Sequence, residues 1–237
     1  MVRNSNRRSI QASPRRARRR DARRDEILRA AARMFRERGY ADTGMRDIAA
    51  AADLSPANLY HYFRGKDEIL FYCQDRALDR LLDTVAAVRR DARSTAEELR
   101  RVLATHLRVL LDEVAGATAH LQTEALPPDL RARIIRKRDR YERALRQLIA
   151  DGVRFGECAA CDPALVARAM LGALNWAVTW YNPAGPKTVA QLADETADYL
   201  VRGVALRSPV APRRLRLVPE PGGRRRPRPR THRGDHG

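Results

Sequence analysis

Three side chains able to exchange hydrogen bonds, Tyr60, His61 and Tyr62, stand side by side in the stretch DLSPANLYHYFRG, residues 53–65. Taken out of water, each ring needs a polar partner, so three in a row fit a surface better than a core. At 100° per residue, with Leu59 inward, Phe63 lies about 40° away and anchors the same face. Ala57 and His61 fall at about 160° and 200°, pointing outward, with Asn58 and Tyr60 about 100° to either side and Tyr62 at about 60°. A small residue and a polar ring flanked by tyrosines fit a helix laid in a DNA major groove, the ring toward base edges and the hydroxyls toward phosphates. Tyr62, nearest the anchored face, has packing as its competing role.

Other chemistry-bearing residues are sparser. Arg131, Arg133, Arg136, Lys137, Arg138 and Arg140 form a basic run beside Ile134 and Ile135. Such a run serves either a phosphorylated ligand or a solvated helix face with i, i+4 partners. Trp176 and Trp180 lie four apart with Asn175 beside them, on a segment apolar nearly all round and therefore expected to be buried on every face. That face lines either a ligand pocket, favoured for Trp176, or a dimer core, favoured for Trp180. Cys158 and Cys161 make a CxxC, half of a structural zinc site with no second pair to complete it. A metal shared with a second subunit or a redox switch stays open beside ordinary loop thiols. Cys73 reads as a core residue. His106 and His120 lack a nucleophile arrangement, and no phosphate-cradling glycine loop occurs. Neither an enzyme nor a cofactor is expected.

The elements that position these residues read as helices throughout. Ile27, Ala31, Met34 and Phe35 recur at helical spacing over 23–38, and Gly39 follows as a stop. Thr43 is the expected cap of a second helix with Met45, Ile48, Ala49 and Ala52 inward. Asp53 and Leu54 turn the chain, and Ser55 with Pro56 starts a third helix that Gly65 ends after about two turns. Beyond it, capping boxes at Ser94 or Thr95 and at Thr188, and the pairs Pro127-Pro128 and Asp162-Pro163, delimit helices over 67–90, 95–114, 129–154, 163–181 and 188–204, with a short one near 118–125. The fold class is all-α: a three-helix helix-turn-helix unit over 21–66, then a larger helical domain over 67–205.

Charge is concentrated at the ends. Of a net +18 in 237 residues, residues 1–20 carry eight arginines and no acid, and 206–237 carry ten arginines against Glu220 and Asp235. Both ends are poor in large apolar groups and are expected to be disordered basic tails. They suit a polyphosphate partner, or record a GC-rich genome's preference for arginine. No run of about 18 apolar residues and no secretory leader is readable, so no membrane partner and a cytoplasmic location are expected.

Residues 23–70 resemble the DNA-binding domain of the TetR family of bacterial repressors, through FRERGY, TGMRDIAAAADLS and LYHYFRGKDEIL. The resemblance implies that Thr43, Arg46, Ser55, Pro56, Ala57, Asn58, Tyr60, His61, Tyr62 and Lys66 face a double-stranded operator, with Lys66 opening the next helix against a phosphate. Asp53 stands where the family often has glycine and tolerates a left-handed backbone. Ala57 and Asn58 depart from the common pair, so base preference does not carry over. The second domain then serves dimerisation and ligand binding. HLQTEALPPDLR, KRDRYERALRQLIADGVRFGE and LGALNWAVTWYNPAG are similar to regulators of fatty-acid and steroid degradation that respond to acyl-CoA thioesters. That similarity implies a pocket from Leu121, Arg138, Tyr141, Met170, Asn175, Trp176 and Trp180. The expected function is a homodimeric repressor that leaves its palindromic operator when a small hydrophobic effector, such as an acyl-CoA, binds. The competing class is a protein that coats DNA through its arginine tails with little sequence preference.

Overall fold

The computed structural model describes residues 14–111 and 123–205, and no strand occurs among them. α1 (Pro14–Arg38), α2 (Met45–Ala51) and α3 (Pro56–Tyr60) form the N-terminal unit. α4 (Lys66–Asp91), α5 (Thr95–Leu111), a 3-10 turn (Thr123–Ala125), α6 (Pro128–Arg154), α7 (Pro163–Trp180) and α8 (Val189–Arg202) make the rest. α5 is the hub of this second unit, packed on α4, α6, α7 and α8. α4 serves both units, since its first turns bury Ile69, Leu70 and Phe71 near α1 and its later turns bury Leu81, Val85 and Val88.

Local physics sets most boundaries. Ser55 accepts the Asn58 N–H at 3.2 Å and Pro56 supplies a ready-made first-turn φ, which starts α3. Asp162 caps α7 through Ala164, and Thr188 exchanges hydrogen bonds with Gln191 at the head of α8. Gly39 closes α1 at φ 85°, and Asp53 holds the turn before α3 at φ 54°, the left-handed backbone that an aspartate tolerates. Gly152 is required by packing: a Cβ there would stand 2.6 Å from both Cys158 Sγ and Thr95 Cγ2.

The structure corrects the sequence reading at three places. Residues 14–20, assigned to the N-terminal tail, are the first turns of α1; arginine and alanine are good helix formers, and Pro14 suits a first turn. Residues 1–13 and 206–237, with Leu121 and His120, lie outside the described residues. Thr43 is not the cap of α2, because its hydroxyl donates inward to the Gly39 carbonyl at 2.7 Å. Gly44 is the cap, its N–H held by Asp47 at 2.8 Å. α3 closes at Tyr60 rather than after two turns, the chain tightening as the Tyr62 N–H reaches the Leu59 carbonyl at 2.9 Å. In the single chain, α7 leaves Leu165, Trp176 and Trp180 exposed on one face.

Among the described residues, no helix is long and apolar enough to cross a membrane, and no group of three potential ligands is placed to hold a metal ion. Cys73 and Cys158 are buried thiols and Cys161 is half-buried. Burial pushes Cys73 up to about 12, keeping it protonated.

Candidate functional site

The first candidate site is the outer face of the helix-turn-helix. Leu59 and Phe63 are fully buried, as the angular argument requires, while Ala57, Asn58, Tyr60 and His61 are exposed; Tyr60 keeps 55% of its surface. Ser55, Pro56 and Arg46 share this exposure, and Tyr62 is half-buried against the core, matching its packing role. Two of the expected contact residues are engaged within the chain. Thr43 is 1% exposed. Lys66 does open α4, but its ammonium donates to the carbonyls of Tyr40, Ala41 and Thr43 at 3.0, 3.2 and 3.3 Å and sits 4.5 Å over the Tyr40 ring. An ammonium has three N–H donors, so Lys66 fastens the α1–α2 loop with all of them. The same loop is tied to α4 by the Tyr40 hydroxyl, which donates to Asp67.

The structure adds cations that the sequence reading left in the tail. Arg16, Arg19 and Arg20 line one open groove with Leu54, Asn58, His61 and Tyr62. Their legible signal is spacing, since they continue toward Arg23 along one helix face.

The second candidate site is a cavity of about 310 Å³ inside the second unit. Ala77, Leu78 and Leu81 of α4, Val109 and Leu110 of α5 and Leu171 of α7 supply its apolar wall. Two of its polar groups, Tyr141 and Asn175, meet at His106. The Asn175 side-chain oxygen, 3.1 Å from Nε2, can only accept, so Nε2 is assigned the proton and Nδ1 accepts from the Tyr141 hydroxyl at 3.2 Å. Burial pulls His106 down to about 4, only partly opposed by Asn175, and pushes the Tyr141 phenol upward. The ring is therefore a neutral link at neutral pH.

Charged groups also border the cavity. Glu142 pairs with Arg146 and with Arg168, the latter at 3.3 Å; hydrogen bonding to Arg146, then the charges of both arginines, holds its carboxyl below the usual range. Arg138, lowered by burial, reaches Gln74 at 3.4 Å.

Of the expected ligand residues, Arg138, Tyr141 and Asn175 line the cavity and three others do not. Met170 is buried in the core, off the cavity wall. Trp176 and Trp180 are 66% and 53% exposed. The physical reason is that α7 has three faces. Arg168, Leu171, Gly172 and Asn175 turn to the cavity; Ala167, Met170, Leu174 and Ala177 turn to the core; Leu165, Trp176 and Trp180 turn outward. His106, Gln74, Glu142 and Arg168 were missed as lining residues, since nothing local marks which helix face meets a void.

Most of the basic run on α6 is committed within the chain. Arg131 pairs with Glu124 at 2.7 Å, Arg133 stacks 4.5 Å over Phe71, and Lys137 pairs with Asp75 and Asp79 at 2.5 and 2.7 Å, while Arg136 and Arg140 face solvent. The solvated-face reading of that run fits these contacts.

A helix-turn-helix followed by an α-helical unit with an internal cavity defines the class of DNA-binding regulators with a separate effector domain. Residues 27–73 match the family of bacterial regulatory proteins named for tetR, and residues 92–204 match the tetracyclin repressor-like C-terminal domain. The chain belongs to the TetR family of transcriptional regulators. It is 31% identical over 194 residues to the HTH-type transcriptional repressor KstR2 of Mycobacterium tuberculosis, covering 78% of this chain and 94% of that one. Among solved structures, the TetR family regulator PfmR of Thermus thermophilus superposes with a TM-score of 0.68 at 36% identity, over 74% of this chain and 97% of that chain. AibR, solved with isovaleryl coenzyme A and operator DNA, superposes with a TM-score of 0.63 at 27% identity, over 76% of this chain and 98% of that chain.

Proposed function

We propose that the protein is a homodimeric transcriptional repressor that binds a palindromic operator and is released from it when a compact acyl-CoA thioester enters the α4–α7 cavity. The observation that carries this reading is that one helix serves both sites. α4 begins at Lys66, which clamps the α1–α2 loop, and lines the cavity with Ala77, Leu78 and Leu81 eleven to fifteen residues on, or about 17 to 23 Å along its axis. A ligand that displaces the cavity end of a packed helix moves its other end as well, because packed elements shift as rigid bodies. Release then follows from differential affinity for the two arrangements, typically worth about 1–3 kcal/mol.

Three further features support the reading. At about 310 Å³ the cavity stands near the small end of ligand sites, so it holds an acyl group and leaves the coenzyme A nucleotide outside. AibR, at 27% identity, was solved with such a thioester. Leu165, Trp176 and Trp180 on α7 and Tyr199 on α8, the last 72% exposed, are large exposed apolar groups of the kind a symmetric partner covers. Ala57, Asn58, Tyr60 and His61 read the operator in this account, and Tyr62 mainly anchors α3.

Selection from a random-sequence duplex library with the full chain tests the proposal. An enriched inverted repeat, its half-sites about one helical turn or a multiple apart and bound by two chains, is the expected result. Enrichment of a single half-site, or of nothing, contradicts it.

A further inference from the structure

The Lys66 ammonium donates to three carbonyls of the α1–α2 loop, whereas a groove beside α3 is lined by three exposed arginines. We propose that Arg16, Arg19 and Arg20, on the N-terminal turns of α1, form a clamp that grips the DNA backbone next to the recognition helix. The proposal rests on the DNA-binding reading above and adds a contact surface to it.

Arg23 fixes the rotation of this part of α1. Its Nη2 donates to the carbonyls of Ala52 and Asp53 at 3.1 and 3.2 Å, at the turn that leads into α3, and its Nη1 pairs with Glu26. At 100° per residue, Arg16, Arg19 and Arg20 lie within about 60° of Arg23 around the axis. The same face therefore points toward the helix-turn-helix, and the three arginines line the groove that also holds Asn58, His61 and Tyr62. All three are exposed. The acids of α1 do not neutralise them: Asp25 pairs with Arg76, Glu26 with Arg23, Asp21 falls about 160° from Arg23, and Glu37 lies about four turns further along the helix.

The chemistry of the groove selects the partner. Guanidinium groups match phosphate oxygens in bidentate geometry, and here they flank exposed groups suited to base edges. A membrane surface is the other common anionic partner, but a helix lying on lipid needs large apolar side chains on one face. Residues 14–26, PRRARRRDARRDE, contain nothing apolar larger than alanine and proline. Duplex DNA, read by α3 and held by α1, is the partner that fits.

The test compares three forms of the full chain by fluorescence anisotropy on a labelled duplex across a range of salt concentrations. The first carries Arg16→Gln, Arg19→Gln and Arg20→Gln; the second carries lysine at the same three positions; the third carries Arg18→Gln and Arg29→Gln, on the far face of α1. Each phosphate that is no longer neutralised lowers the slope of log affinity against log salt by about 0.9, so the first form should lose about 2.7 per bound chain. The lysine form should keep the slope, because counterion release follows charge, and the far-face form should lose little per charge removed. An unchanged slope in the glutamine form, or an equal loss per charge in the far-face form, overturns the clamp. The duplex is the one selected by the full chain. Should no sequence be selected, the operator reading fails while a mixed-sequence duplex still decides the clamp.

Discussion

His106 makes stability depend on pH in a calculable way. It is 3% exposed, burial lowers its pKa from 6.5 to about 4, and the assigned tautomer uses both ring nitrogens. Because the folded-state pKa is depressed, the unfolded chain binds the proton first as pH falls, and protonation favours unfolding. The stability this group contributes is thus full above about pH 6.5 and is lost as pH falls through 6.5 toward 4. Between pH 7.5 and pH 5.0 the loss works out at about 2 kcal/mol for this one group. Glu142 and Arg138 from α6 and Arg168 from α7 border the same cavity and are present in both proteins, so their contributions cancel in the comparison. Urea unfolding of wild type and His106→Gln at one protein concentration and both pH values isolates the histidine. Wild type should lose about 2 kcal/mol more than the variant on acidification. Equal losses in the two proteins would refute the neutral, doubly bonded His106.

The remaining predictions concern the reading head and the dimer. Lys66→Ala removes three charge-assisted hydrogen bonds from a half-buried loop, so it should lower unfolding stability by about 1–2 kcal/mol while leaving the salt slope of DNA binding unchanged; a reduced slope would restore Lys66 to the phosphate. Asp53→Ala should cost about 1 kcal/mol at a left-handed position and Asp53→Gly should not, as thermal unfolding will show; equal costs would mean the turn is held by the aspartate side chain rather than by backbone freedom. Trp176→Glu with Trp180→Glu places charge on the outward face of α7 and should yield monomers by sedimentation; a retained dimer would place the interface elsewhere.

How far the sequence could be read depended on the range of the determining interaction. Ser55-Pro56, Asp162-Pro163 and Thr188-Gln191 satisfy helix-end donors within four residues, and each marks its helix correctly. The outward residues of α3 were legible because two inward anchors, Leu59 and Phe63, orient a short helix. Thr43 was misread as a cap because its partner is a carbonyl brought close only by the folded loop, and the carbonyls around Lys66 were hidden for the same reason. The cavity was harder still: His106 meets Tyr141 and Asn175 across 35 and 69 residues of sequence. On α7, apolar composition alone could not say which of three faces meets core, cavity or partner. The turns of α1 before Arg23 were hidden by composition, since an arginine run reads as a tail until its spacing is followed into the helix.

Ligand-controlled repression requires that a molecule bound in the second unit loosen the grip of the first. Binding of the full chain to its selected duplex should therefore be measured with increasing concentrations of acyl-CoA thioesters, from isovaleryl to ring-containing acyl groups, beside a Leu78→Trp variant whose cavity is filled. A compact thioester should release the wild-type protein, while the variant keeps its operator affinity and ignores the thioester. Operator affinity that no thioester changes, or a filled variant that still responds, would contradict coupling through this cavity.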